Sequence, residues 1–398
     1  MTSETDGQIG DMMTPDLARN PQPTYQALVE GADAMRVDGV GVLACSRAAV
    51  DEVLRHPEVF SSNTDAVDLK TRRPLIPLQI DPPDQRKYRK ILDPLFAPKR
   101  MQALTEPIEQ LVNQLIDRFI DEDEIDFTDR FSLPFPSQVF LTLFGLPMDE
   151  LPSFLKMKDG IIRPNHVVGH DLGHPETDAY QQQMADSIYE YFETLLEERA
   201  SVRRDDLLSQ FVEAEVDGDR LSREDILDIC FLFLIAGLDT VSASLDCFFG
   251  YLAGHPDERR QLVADPDSIP NVVEELLRWE TPVMGAARVV TCPFNLAALE
   301  VMPGEQVMVL LGAANVDPHE LADADAVRWD RDVNRHLAFG GGVHRCLGSH
   351  LARVELRVAL REWHRRISDY RVKPDALLDY TPGIRALDRF PMVLRQTI

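Results

Sequence analysis

Apolar residues recur at helical spacing over most of this chain. Between residues 101 and 200 the pattern predicts helices at Ile108–Ile120, Pro134–Phe144, Met148–Lys158 and Ala179–Arg199, with a turn at Asp123–Asp126. Ser222 and Asp225 are spaced as a capping box, and helical text runs on to about Ala253, where Gly254 and Pro256 stop it. Roughly thirty residues form a rod of about 45 Å. It is apolar nearly all round from Ile229 to Leu238, so it should be buried. Further helices are predicted at Pro270–Trp279 and after residue 348, where Leu356, Leu360, Trp363 and Ile367 form an apolar stripe. Strand-like runs occupy Ala34–Val37 and Gly39–Cys45, between a short helix near Tyr25–Gly31 and another at Arg47–His56. Phe294–Val301 and Glu305–Leu311 read as a strand pair joined by Pro303 and Gly304.

Charge and composition narrow the function classes. The 398 residues carry 41 basic and 67 acidic side chains, a net −26, which argues against nucleic acid or an anionic membrane as the main partner. Asp228, Asp239 and Asp246 interrupt the long rod and oppose a membrane span. Five cysteines without paired spacing fit a reducing compartment. The polar, acidic first twenty residues, read as a short flexible N-terminus, resemble no export leader, so a cytoplasmic location is expected. No linker, repeat or low-complexity tract divides residues 1–398, and one domain is the simpler expectation.

Chemistry concentrates in two places. The stretch His336–Arg357 brings Gly340, Gly341 and Gly342 up to Cys346, just ahead of a helix. Glycines allow a tight hairpin against a flat ligand, and a helix N-terminus favours a deprotonated sulfur, a strong axial ligand for haem iron. A lone cysteine beside a glycine loop is also how a buried inert thiol looks. The second place is Ala236–Thr240, a small pair and an acid–alcohol pair in the middle of a core helix. Thr240 can bond back to the carbonyl of Ala236, loosening the ladder and opening room for a small ligand. Leu232, Ile235 and Ala236 lie one to two turns earlier on a similar face and suit a substrate. His166, His170 and His174 are spaced by four, a metal pattern only on a continuous helix. Pro164, Gly169, Gly173 and Pro175 oppose that helix, and a mobile lid is expected instead.

Phe339, Gly342, His344, Cys346 and Gly348 reproduce F-x-x-G-x-(H/R)-x-C-x-G, and the chain here resembles the cytochrome P-450 family. The resemblance implies a mainly α fold with a small β-region, and haem b between the long central helix and the Cys346 loop. Cys346 is then the iron ligand, in a cofactor cradle that includes Phe339, Gly340, Gly348 and Ala236. Arg89, Arg288 and His344 are implied propionate holders. Gln85 stands where the family's D-P-P-x-H-x-x-x-R has histidine. Asp239 and Thr240 match the pair that delivers protons to dioxygen; Glu275 and Arg278 match E-x-x-R, with Arg331 as third member. Val283, Met284 and Ile384 are implied to pass beside the substrate, under a loop over residues 61–79 that carries Val67, Leu69, Leu75, Ile76 and Leu78. Arg345, Arg353, Arg357 and Arg361, with Arg86, Lys87 and Lys90, are expected to form a basic face for an acidic electron carrier. The implied reaction is monooxygenation of an apolar small molecule with O2 and electrons from a ferredoxin and its NAD(P)H-dependent reductase. A peroxygenase and a non-catalytic haem-thiolate sensor or carrier are the alternatives.

Overall fold

The structure is a computed structural model that describes residues 15–64 and 69–394; Val67 and most of the N-terminal twenty residues lie outside them. Six helices carry the site: α1 (Asp84–Leu92), α2 (Leu151–Ile162), α3 (Pro175–Ser201), α4 (Arg223–Gly254), α5 (Ile269–Glu280) and α6 (Ser349–Arg366). The first turn of α4 is closed by a reciprocal cap: Asp225 N–H donates to Ser222 Oγ (3.1 Å), and Ser222 N–H donates to the Asp225 carboxylate (3.0 Å). From there α4 runs unbroken for 32 residues.

α4 is long and apolar enough to cross a membrane, yet it is buried inside the protein, and its acids have partners. Asp228 accepts from Arg73 (2.6 and 2.8 Å) and from the Tyr189 hydroxyl (3.1 Å). Asp246 accepts from Ser132 Oγ (2.5 Å) and the Leu387 N–H (3.1 Å). A core helix can hold such carboxylates because each is hydrogen-bonded. Around α4 the apolar residues form two large clusters. One joins it to α5 and α6 through Leu276, Leu356 and Trp363; the other joins it to α2 and α3 through Phe154 and Phe192. Leu75 and Ile76 are buried in the second cluster, whereas Leu78 is exposed.

The β-region is a five-stranded sheet built from distant segments: β1 (Ala34–Val37), β2 (Gly41–Ala44), β3 (Phe60–Ser61), β4 (Ala286–Val290) and β5 (Gln306–Val309), in the order β1-β2-β5-β4-β3. β5 runs parallel to β2, with Val307 opposite Val42, and antiparallel to β4, with Val307 opposite Arg288. The expected pairing of Phe294–Val301 with Glu305–Leu311 is not formed. Phe294–Leu296 folds back on Leu299–Val301 instead. Ala297 and Ala298 both take positive φ at that turn, a conformation usually signalled by Gly or Asn. The predicted helix Met148–Lys158 is a 3-10 turn followed by α2, whose first turn takes Pro152 without losing a hydrogen bond.

Candidate active site

The Cys346 loop is shaped by two glycines with different reasons for being glycine. Both Gly340 and Gly342 have φ of +63°. A Cβ on Gly342 would overlap the Leu54 carbonyl, so the loop packs directly on the helix Arg47–Arg55; at Gly340 a Cβ meets nothing within 4 Å. The Cys346 N–H donates to the Phe339 carbonyl (2.9 Å), closing the hairpin. Burial pushes the thiol pKa up, and it prevails over the Gly348 N–H and the charges of Arg89, Arg345 and Arg353, which pull it down. A bound metal ion deprotonates a coordinating thiol outright. Cys346 is nonetheless solvent-exposed on one side.

Two cationic or donor groups beside this loop lack an anion. Arg288, on β4, is 9 % exposed; it donates to its neighbour's carbonyl at Ala287 (2.7 Å). Among the described residues no carboxylate lies within ion-pair distance of it. His344 Nε2 is buried with no hydrogen-bond partner, and its nearest acid, Asp81, is 3.9 Å away. Burial and the charge of Arg288 push the imidazole down to about 4. Such groups are costly to leave unmatched. Their donor chemistry fits the propionates of a haem, as the open side of Cys346 fits its iron.

Gln85 and Arg89 of α1 both reach the backbone of the Cys346 loop. The Gln85 amide donates to the Val343 carbonyl (2.6 Å). Arg89 pairs with Asp93 (2.8 Å) and donates to the Arg345 carbonyl (2.9 Å). Both brace the backbone on either side of His344.

On α4, Thr240 Oγ1 donates to the Ala236 carbonyl (2.9 Å), the expected back-bond, and the helix continues through it. Between Asp225 and Phe249, Ala236 and Gly237 alone are exposed, with the Phe140 ring against one side of Gly237. Leu232 and Ile235 join an apolar cluster against which Leu347, adjacent to Cys346, also packs. Asp239 is 2 % exposed and held by Lys158 Nζ (3.0 Å) and by Arg163 (2.9 and 3.2 Å). Burial raises its pKa, but the two cations prevail and hold it below the ordinary range. Arg163 also pairs with Asp388 (3.0 Å), which is largely exposed, so a charged chain leads from Asp239 to the surface. Sequence reasoning missed Lys158 and Arg163. The available signal was a lysine, itself 1 % exposed, on the buried side of α2.

Glu275 accepts from Arg278 (2.7 and 2.9 Å), Arg331 (3.0 Å) and Asn334 (2.9 Å), all at a fully buried carboxylate. Arg278 and Arg331 also both donate to the Ala326 carbonyl, which ties α5 to the chain leading into the Cys346 loop. Val283 bridges Ile384 in antiparallel register. Met284 is packed elsewhere, in a cluster with Tyr25, Leu43 and Leu310, and is not brought together with Leu232 and Ile235.

The basic stripe on α6 is not uniformly free. Arg353 (2.7 and 2.8 Å) and Arg357 (3.0 Å) pair with Glu274 of α5, and Arg353 lies over the Phe339 ring at 4.5 Å. Despite burial, hydrogen bonds from His336 and Arg353 hold Glu274 well below the usual carboxylate range. Arg345 and Arg361 are exposed, without ion pairs among the described residues. Arg353, Arg357 and Arg361 recur every four residues along α6, a spacing that puts them on one face but could not show that α5 supplies an acid to two of them; Arg345 lies just before the helix.

A family model described as cytochrome P-450 matches residues 40–376. The chain is 33 % identical over 347 residues to a steroid C26-monooxygenase of Mycolicibacterium smegmatis, covering 85 % of this chain and 84 % of that one. It is 31 % identical to the mycinamicin IV hydroxylase/epoxidase of Micromonospora griseorubida, covering 77 % and 76 %. Among solved structures, the bacillaene polyketide synthase cytochrome P-450 of Bacillus subtilis superposes with a TM-score of 0.87 at 26 % identity, covering 96 % and 98 %. CYP109E1 of Bacillus megaterium in complex with testosterone gives 0.86 at 26 %, covering 96 % and 100 %.

Proposed function

The chain belongs to the cytochrome P-450 family, and we propose on that premise that its haem monooxygenase site oxidises an apolar small molecule using electrons from a ferredoxin. The observation that carries this reading is the pair Asp239–Thr240 beside the exposed Ala236 and Gly237. Haem, when bound, supplies the iron that activates dioxygen and returns one oxygen atom to the substrate. Cys346 is its thiolate ligand, and Arg288 and His344 hold its propionates. Gln85 and Arg89 act at one remove, fixing the loop backbone that aims those groups.

Thr240 Oγ1 passes a proton into the cavity when it swings off the Ala236 carbonyl. Asp239, which Lys158 and Arg163 hold as the carboxylate at rest, stores no proton; it takes one from water and passes it on towards Thr240 as those contacts loosen, returning to the carboxylate. A general acid of this kind works only if it can be recharged from solvent, which the Arg163–Asp388 contact with the surface favours. Leu232, Ile235, Val283 and Ile384 line the substrate side, excluding water from the reacting groups. Relatives named for steroid oxidation, and a neighbour solved with testosterone, make steroid-sized compounds the first to screen. Glu275, Arg278 and Arg331 form the clamp that keeps the loop in register with α5. The single-domain chain works in the cytoplasm, where a reductase supplies the ferredoxin.

The test is turnover of a spectrally selected ligand with NAD(P)H, reductase and ferredoxin. Product formation should require all three, and Cys346→Ser should lose the thiolate-type ferrous-carbonyl absorption. Equal turnover driven by hydrogen peroxide alone would favour a peroxygenase and overturn the ferredoxin reading.

A further inference from the structure

The connection between α2 and α3 holds a group of side chains that the haem chemistry does not use. Its histidines recur every four residues, but no continuous helix carries them. Pro164–Val168 forms a short helix that ends at Gly169, where φ is +83°. His166 turns toward Asp388, with 3.9 Å between Nδ1 and the carboxylate. Beyond Gly169 a turn closed by the His174 N–H on the Asp171 carbonyl (3.1 Å) folds the chain back. This brings the rings of His170 and His174 together, 4.1 Å between centroids with planes 20° apart.

Glu176, in the first turn of α3, completes the group. Its Oε2 lies 3.4 Å from His170 Nε2. One ligand atom from each of His170, His174 and Glu176 lies within 4.8 Å of the other two, and all three residues are exposed. A tetrahedral zinc with bonds near 2.1 Å separates its ligand atoms by about 3.4 Å. The His170–Glu176 spacing already meets that value, and the remaining closure needs only rotation of an exposed imidazole.

The backbone is set for it. Thr177 Oγ1 donates to the His170 carbonyl (3.1 Å), tying the loop to α3. The Glu176 N–H reaches His174 Nδ1 at 3.3 Å, a long contact that a metal on that nitrogen would displace at little cost. Acidic neighbours favour a cation: Asp171 sits inside the turn, and Asp178 follows Thr177, with Lys70 at 3.8 Å from its carboxylate.

We propose that His170, His174 and Glu176 bind a divalent transition-metal ion of the zinc class, which clips the α2–α3 connection to the head of α3. Two imidazoles and one carboxylate select such an ion over calcium or magnesium, which prefer all-oxygen shells. Three protein ligands leave at least one position to water; because all three residues are exposed, with no pocket enclosing the ion, its role is to tie the connection to α3. It restrains the segment that also carries Arg163, a partner of Asp239.

The test uses the haem-loaded full-length protein, stripped with a chelator and titrated calorimetrically with zinc chloride alone. One saturable equivalent is expected with micromolar affinity. The double variant His170→Ala/His174→Ala should weaken binding at least about tenfold, that is by about 1.4 kcal/mol, with an unchanged haem spectrum. Glu176→Gln should weaken it less. Zinc should also slow amide hydrogen exchange in residues 170–178 of the wild type and not of the double variant. No saturable binding, or equal affinity in the double variant through another group such as the exposed Cys292, overturns the proposal.

Discussion

A carboxylate removed from water stays ionised only where cations meet it, and Asp239 is met by two, one of them a lysine just as buried. Their mutual desolvation makes this arrangement one that is costly to half-dismantle. Lys158→Met should therefore destabilise the protein by about 3 kcal/mol, and adding Asp239→Asn should recover part of the loss, measured by denaturant midpoints. A double variant no better than the single would show that Lys158 acts by packing. Thr240 is a separate case, because its hydroxyl is satisfied by its own helix and its removal leaves no buried orphan. Thr240→Ala should fold normally and bind haem, yet divert electrons to free hydrogen peroxide. Full coupling of electrons to product, measured by peroxide assay, would remove Thr240 from proton delivery.

At the scale of elements, the Cys346 loop depends on its contact with the helix Arg47–Arg55. Gly342→Ala combines a positive φ with an overlap against backbone and should cost at least about 3 kcal/mol. Gly340→Ala has the same φ in open space and should cost about 1 kcal/mol. Haem retention during thermal unfolding reads the difference, and equal losses would mean that φ alone sets the cost. The α5–α6 pair divides the basic stripe into two kinds of arginine. Reversing Arg345 and Arg361 should slow reduction by ferredoxin about tenfold at low salt, with the effect shrinking as ionic strength rises. Arg353→Glu should lower stability as well, because it leaves Glu274 beside a second carboxylate.

Across the whole molecule, two buried groups set opposing pH dependences. His364, bonded to the Leu360 carbonyl and the Tyr370 hydroxyl, is pushed by burial to about 4. Its folded pKa lies below the unfolded value of 6.5, so the neutral ring's contribution is intact at pH 7 and is lost as pH falls toward 4. Asp246 is pushed by burial to about 7, so its neutral form favours the folded state at low pH and that advantage is lost as pH rises toward 7. Replacing His364 by Gln should therefore cost about 2 kcal/mol less at pH 5 than at pH 7. Asp246→Asn should be relatively more favourable at pH 7 than at pH 5. Denaturant midpoints at the two pH values decide both signs, and a parallel shift in the two variants would contradict the assignment.

Periodicity and local chemistry were enough to place the long helices, because each must turn one face or its whole surface to the core, but not short ones such as Leu207–Glu213 or Pro256–Ala264, which begins at a proline read as a stop. Ser222 and Asp225 announced the start of α4, and the order of residues from Phe339 to Gly348 announced a haem-ligand loop, since caps and tight turns are written in adjacent residues. What joins distant segments was not written locally. The pairing of β5 with β2 and β4, the two cations on Asp239, the Glu274 bond to Arg353 and the bracing of Val343 by Gln85 all link positions far apart in the chain. The turn at Ala297–Ala298 was hidden for another reason, since alanine rarely takes that backbone and the surrounding sheet had to impose it. Cys346 spans both levels. Its neighbours marked it as a ligand, but only packing revealed that its loop rests, through Gly342, on the Leu54 carbonyl of the helix Arg47–Arg55.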